Sequence, residues 1–367
     1  MTPRSGIALL FVFSAAAIGA IGGCSNYAST TTPTPVSSVS PSPFPDTLYV
    51  QDTTSRSIRV YKNASGSNGF SSSSAQLSAP TTAFVDVVYN PAKDVLWVPF
   101  CAGAPCPGTS GPVDVWAAAS TLKNGGPTSS VTLPNINGAA AYDETHDLLF
   151  VTVNNAPIVQ IYSSASTLGT GGNTVPATSA TLQINDPQIQ YSPPPPRPQE
   201  LYYDKARDLL FASDYGTVVA EFDNFGAQAA AAAASHTPLT LPPSREITAL
   251  VKTDGMAYNS AQDILFVVAD QSGQLTVISQ ASVTNGPAGH AQLVTGFANA
   301  KGVAYDDVRN ILFVYDPGDP GGAGEILSYP NATTLAGNQA GWAGRKAFVD
   351  AFVSGLSGFG ISIDTTH

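Results

Sequence analysis

The chain has 367 residues, with 15 Lys and Arg against 26 Asp and Glu, a formal net charge of −11, and charged residues make up only 11% of it. No basic run occurs anywhere, which argues against nucleic acid as a partner. Its 33 Gly and 29 Pro fit many short strands joined by turns, as in exported all-β proteins.

Residues 1 to 24, MTPRSGIALLFVFSAAAIGAIGGC, combine one Arg, an apolar run from Ile7 to Ile21 and small residues that end in Cys24. The run is too short for a spanning helix to be the first reading, and the pattern is that of an export signal. Ile21-Gly22-Gly23-Cys24 resembles the bacterial lipobox, which implies cleavage after residue 23, a lipid on Cys24 and a membrane as a partner. Residues 24–45 are rich in Ser, Thr and Pro. They bury too little to repay the entropy of ordering, so they are expected to form an extended tether. The folded domain is expected over residues 46–367.

Within that domain one pattern recurs. DVLWV begins at Asp94, DLLFV at Asp147, DLLFA at Asp208, DILFV at Asp263 and NILFV at Asn310, at intervals of 53, 61, 55 and 47 residues. Such irregular periods are those of blades with variable loops. A shorter strand ending in an aromatic precedes each: VVYN, AAYD, LYYD, MAYN and VAYD. After each comes an alternating strand such as IVQIYSSAS, then a weaker fourth, read as SSVTLP, SATLQI, TPLTLP and AQLVTG. The second strand is apolar without interruption and should be buried on both faces, whereas the third alternates. Four sequential strands packed face to face on their neighbours make a β-propeller blade.

Asp46 to Ser65, DTLYVQDTTSRSIRVYKNAS, supplies a second and a third strand with no first strand ahead of them. GFGISIDTTH at the other end supplies a first strand with no second. Joined, they reproduce AAYDETH followed by DLLFV, so a six-bladed propeller is expected, closed by pairing of the N- and C-terminal strands in one blade. Closure removes the edges that an open array would expose.

Some residues break or punctuate the repeat. Cys101 and Cys106, in FCAGAPCPG, are too few for a zinc site and read as a local disulfide in an exported protein. Asn63 and Asn331 fall where other blades have SAS or AAS, a repeated turn, and Asp52, Asp214, Asp270 and Asp316 read as turn-forming residues after the second strand. The run AQAAAAAAS from Ala227 reads as a helical excursion. Three residues before the inner strand's anchor stand Ala139, Gly255, Gly302 and Gly360, small enough for strands crowding an axis. Asp86 and Glu200 replace them in blades two and four, with Asp254, Asn137 and Lys301 close by in register. These five are the candidate ligands at a channel mouth.

GVAYDDVRNILFVYD at 302–316 and LYVQDTTSRSIRVY at 48–61 resemble the NHL-repeat class of propeller. The resemblance implies the fold over all six blades and leaves the chemistry open, since NHL-like propellers include binding modules, scaffolds, lyases and lactonases. No GxSxG motif occurs, and the histidines His146, His236, His290 and His367 do not reach the start of an inner strand. The expected function is therefore a lipid-anchored, non-catalytic binding or scaffolding module at the bacterial cell envelope, taking a protein or a small polar ligand at the channel mouth. The alternative is a calcium-dependent, lactonase-like hydrolase with oxygen ligands from Asp86, Glu200 and Asp254.

Overall fold

The computed structural model describes residues 45–367 apart from 53–54, 79–85, 101–109, 135, 154–155, 169–179, 185–197, 199, 214–215, 270–272, 290, 318–323, 339–344 and 350–359. The expected signal, tether and lipidated Cys24, the Cys101–Cys106 disulfide, and Asp214, Asp270 and His290 therefore lie outside the described residues. Among those described, no helix is long and apolar enough to cross a membrane.

Each repeat is built around one local clasp. The acidic residue that opens the second strand sits in the left-handed region at Asp94, Asp147, Asp208 and Asp263, and Asn310 takes the same conformation. Asp and Asn tolerate that region better than most residues. The inner-strand tyrosine five residues earlier donates its hydroxyl to this side chain: Tyr89 to Asp94 at 2.9 Å, Tyr142 to Asp147 at 2.8 Å, Tyr203 to Asp208 at 3.0 Å, Tyr258 to Asp263 at 2.7 Å and Tyr305 to Asn310 at 3.2 Å. The same side chain accepts the backbone N–H of a short helix beyond the third strand, as from Ser120, Ser166 and Ser282. Asp46 does this for Ser65 in the split blade. Tyrosine, turn and helix thus share one carboxylate, which explains why Asp opens the repeat.

The helix is entered through a second left-handed residue, Asn63, Ala118, Ser164, Asn224, Gln280 or Asn331. The reading of Asn63 and Asn331 as a repeated turn holds. In five blades a three-residue 3-10 helix follows, whereas blade four has the α-helix Phe225–Ser235. That helix buries Phe225, Ala229, Ala232 and Ala233 against blades three and four.

Six sheets form the ring. In blade three Ile136–Asp143, Leu148–Val153, Ile158–Ser163 and Ala180–Ile184 pair antiparallel in sequence. The continuous apolar second strand is explained by what lies on its two sides. Leu148 and Phe150 enter the cluster shared with blade four, while Leu149 and Val151 enter the cluster shared with blade two. The six hydrophobic clusters of the described residues fall one at each junction between neighbouring blades.

Closure occurs as the split repeat requires. Ile361–Asp364 pairs antiparallel with Thr47–Asp52, Thr47 opposite Asp364 as Leu148 is opposite Asp143. One strand assignment is corrected. Leu239–Leu241, inside TPLTLP, is not the fourth strand of blade four; it pairs parallel with the outer strand of blade three. The fourth strand is Arg245–Thr248. Short segments bind the preceding blade in the same way at Asn124–Gly125, Gly286–Pro287, Gly337–Asn338 and Gly69–Phe70. These straps link neighbours at the rim, adding backbone hydrogen bonds to the packing between blades.

Candidate functional site at the channel mouth

The inner strands begin, and the second strands end, at one end of the ring. Crowding there is severe: a Cβ on Gly255 would stand 2.7 Å from the Lys301 carbonyl oxygen, and one on Gly360 would stand 2.7 Å from the Val87 nitrogen. Glycine is required at both places by the neighbouring backbone. Blades three and five relieve the crowding with a register shift, between Ile136 and Ala140 and between Thr253 and Met256. Asn137 and Asp254 lie within these bulges. Bulges re-aim side chains out of the ordinary alternation.

Asp86 is buried and bridges two blades: its Oδ1 accepts the Val87 N–H at 2.6 Å and its Oδ2 accepts the Ala140 N–H at 2.9 Å. Burial pushes its carboxyl up to about 6, with the two N–H groups opposing the shift. Part of what Asp86 does is therefore structural. Glu200 is partly exposed and held well above the ordinary range, first by loss of solvent and then by repulsion from Asp86 and Asp254.

Asp254 is fully buried, and neither of its carboxylate oxygens accepts a hydrogen bond from the described residues. Burial raises its pKa against the opposing pull of the Lys301 ammonium. Lys301 is itself buried and shifted down, by desolvation chiefly and by Lys252, with Asp254 acting the other way. Four of the five sequence candidates thus lie at one mouth under each other's electrostatic influence or, for Asp86, linked through Glu200. The fifth, Asn137, shares the bulge of Ile136–Asp143, and its side chain lies outside the described ones.

The sequence reading missed Gln51, Thr152 and Ser213, polar residues at or next to the ends of second strands. All three are buried, and Gln51 Nε2, Thr152 Oγ1 and Ser213 Oγ have no hydrogen-bond partner among the described residues. Gln51 Oε1 accepts the Gly360 N–H at 3.0 Å, and Ser213 stands directly opposite Glu200. The available signal was a polar residue closing an apolar run, VQ, VT or AS, where blade five keeps Val268.

Histidines are placed elsewhere. His146 Nδ1 lies 2.6 Å from Asp143 and His367 Nδ1 lies 3.2 Å from Asp364, both at the far ends of inner strands, and His236 is exposed beyond the helix of blade four. Among the described residues no three His, Cys, Asp or Glu side chains are gathered closely enough to hold a metal ion. Asp86 and Asp254 each repel Glu200, and the three carboxylates form no metal-sized cluster among the described residues.

Comparison with solved structures supports the ring. A chain in a crystal structure of a nidogen/laminin complex aligns over 88% of this chain and 99% of its own length, with a TM-score of 0.53 and 11% identity. The chain is a six-bladed β-propeller. At that identity the likeness is one of fold alone. A chain of a mitotic checkpoint complex aligns over 76% of this propeller chain and 72% of its own, at 14% identity and a TM-score of 0.42, too weak a likeness to carry an argument. No protein-family model matches the chain, and neither does any curated protein sequence.

Proposed function

We propose that this chain is an exported, lipid-anchored propeller of NHL-like type, acting as a non-catalytic binding or scaffolding module at the bacterial cell envelope. The observation that carries the binding reading is the channel mouth, where Asp86 and Asp254 repel Glu200 and Lys301 acts on Asp254, with buried polar atoms left unpartnered among the described residues. Buried polar groups without partners mark places where a ligand or water completes the set. The address rests on residues 1–24, with the lipid on Cys24 and residues 24–45 as the tether; Cys101 and Cys106 as a disulfide belong to the same exported setting.

Two measurements test this reading. Native mass spectra of the full-length chain, incubated with envelope extract, should show a small-molecule adduct that is lost in Glu200→Gln; spectra with no such adduct count against a mouth-bound ligand. Cys24→Ser should move the protein from the detergent phase to the soluble exported fraction or leave it as precursor. Unchanged partition would remove the lipid anchor.

The calcium-dependent hydrolase remains the second reading, carried by Asp86, Glu200 and Asp254 as oxygen donors. Calcium takes six to eight oxygens at about 2.3–2.6 Å, a convergence that the described carboxylates do not supply. A bound cation would stabilise the fold by about 2.7 kcal/mol at a hundredfold excess over Kd. The binding-module reading expects a melting temperature indifferent to millimolar calcium and chelator; a calcium-dependent rise abolished in Glu200→Gln would favour the hydrolase.

A further inference from the structure

The mouth has acceptors to spare, and they are spread apart. Asp86, Glu200 and Asp254 stand on three different blades, and electrostatics link them while no metal-sized gathering of ligands exists among the described residues. A metal ion needs its oxygens around one point. An ammonium or guanidinium group makes a different demand, because its N–H bonds fan outward and reach acceptors several ångströms apart.

Two further observations, independent of the count of charges, point the same way. Ser213, directly opposite Glu200 across the strand pair, is fully buried, and its Oγ has no partner among the described residues. Both oxygens of Asp254 are buried and accept nothing, on a strand whose bulge between Thr253 and Met256 takes the side chain out of alternation. Each is an acceptor for an N–H donor. The cation already present, Lys301, acts on Asp254, whereas the charges that act on Glu200 are its carboxylate neighbours Asp86 and Asp254.

We propose that the channel mouth binds an organic cation, a primary ammonium or guanidinium group, with Glu200 as its outer anchor and Ser213 and Asp254 as inner acceptors. The assignment rests on the binding-module reading. Glu200, as the partly exposed acid, meets the ligand first, and binding relieves the repulsion that Asp86 and Asp254 exert on it. Asp86 contributes field rather than contact, since its oxygens already hold the Val87 and Ala140 N–H groups.

Isothermal titration calorimetry of the full-length chain at pH 8, with agmatine, calcium chloride and glucose as separate probes, tests the assignment. Saturable one-site binding of agmatine is expected, weakened at least tenfold in Glu200→Gln and several-fold in Ser213→Ala, and changed less than twofold in Asp223→Asn, where the carboxylate pairs instead with Arg245 on the outer strand. Melting curves confirm that each variant is folded. Agmatine heats that do not saturate, or that survive Glu200→Gln unchanged, overturn the organic-cation assignment. In that event, glucose binding lost in Glu200→Gln, or the Glu200-dependent adduct in native mass spectra, leaves the binding-module reading standing; calcium binding lost in Glu200→Gln favours the calcium-dependent hydrolase instead, and the absence of all of these overturns the binding-module reading too.

Discussion

A carboxylate buried with too few donors holds its proton more tightly in the folded chain than in the unfolded one, and Asp86 and Asp254 are both in that position. The folded state therefore binds more protons between the ordinary carboxylate value and the raised one, so stability from these groups falls as pH rises through that window and is level above it. For Asp86, raised from 3.8 to about 6, the loss is on the order of 3 kcal/mol. Asp254→Asn removes one such group without removing a hydrogen bond. Urea unfolding should show the gain in stability from pH 8 to pH 5 shrinking by roughly 1–3 kcal/mol relative to the parent; an unchanged difference would show that Asp254 is ionised at no cost. A second residue-scale prediction concerns Gly226, where a Cβ would stand 2.3 Å from the Tyr203 hydroxyl and within 3 Å of Asp143 and Asp208 oxygens. Gly226→Ala should destabilise the fold by about 1–3 kcal/mol through that overlap, read from the same urea curves. Nothing in the sequence around Gly226 announces this, because the overlapping atoms belong to Tyr203 and Asp208, about twenty residues earlier, and to Asp143 on another blade. Asp86 and Glu200, in contrast, were legible as breaks in a repeat, since a charge at a position otherwise held by Gly or Ala is visible without coordinates, and Asp254 stands one residue before that position.

At the scale of single elements the left-handed entry to the short helix is the most regular device. Asn occupies it in three blades, and Ala118 occupies it in blade two at a φ of 53°. An L-residue with a plain methyl group loses roughly 1 kcal/mol or more in that region, which Gly does not. Ala118→Gly should therefore stabilise the protein by about 0.5–1 kcal/mol, whereas Ala119→Gly, one position later and fully buried, should destabilise it; thermal or urea melts of the pair decide the point. The second strands were readable from sequence because alternate residues face two hydrophobic clusters and all must be apolar. The strap of blade four was not. Its Leu239–Leu241 has the alternation of an outer strand, and with the α-helix Phe225–Ser235 ahead of it the spacing matched a fourth strand. Periodicity identifies a strand but does not choose its partner, and here the partner belongs to the preceding blade.

For the whole molecule the decisive structure is the seam. Thr47–Asp52 is buried at all six positions, and Ile361–Asp364 provides its inner partner. Around this strand the Gln51 N–H donates to the Gly360 carbonyl at 3.1 Å, the Tyr89 N–H donates to Ser362 Oγ at 3.2 Å, and the Tyr89 hydroxyl lies 3.0 Å from an Asp364 oxygen. The terminal strand thus holds blade one on one side and blade two on the other. Without it, blade one would present a bare edge and Val87 would lose the backbone packed against it. Removing residues 360–367 should cost several kcal/mol, comparable to truncating more than one core side chain, and should lower both the urea midpoint and the melting temperature. Because the lost piece is one short strand, a synthetic peptide of residues 357–367 added in trans should restore part of the melting temperature in proportion to its concentration, as mass action requires. A truncated protein that melts within a couple of degrees of the parent, or that ignores the peptide at millimolar concentration, would show that packing between blades holds the ring without this strand.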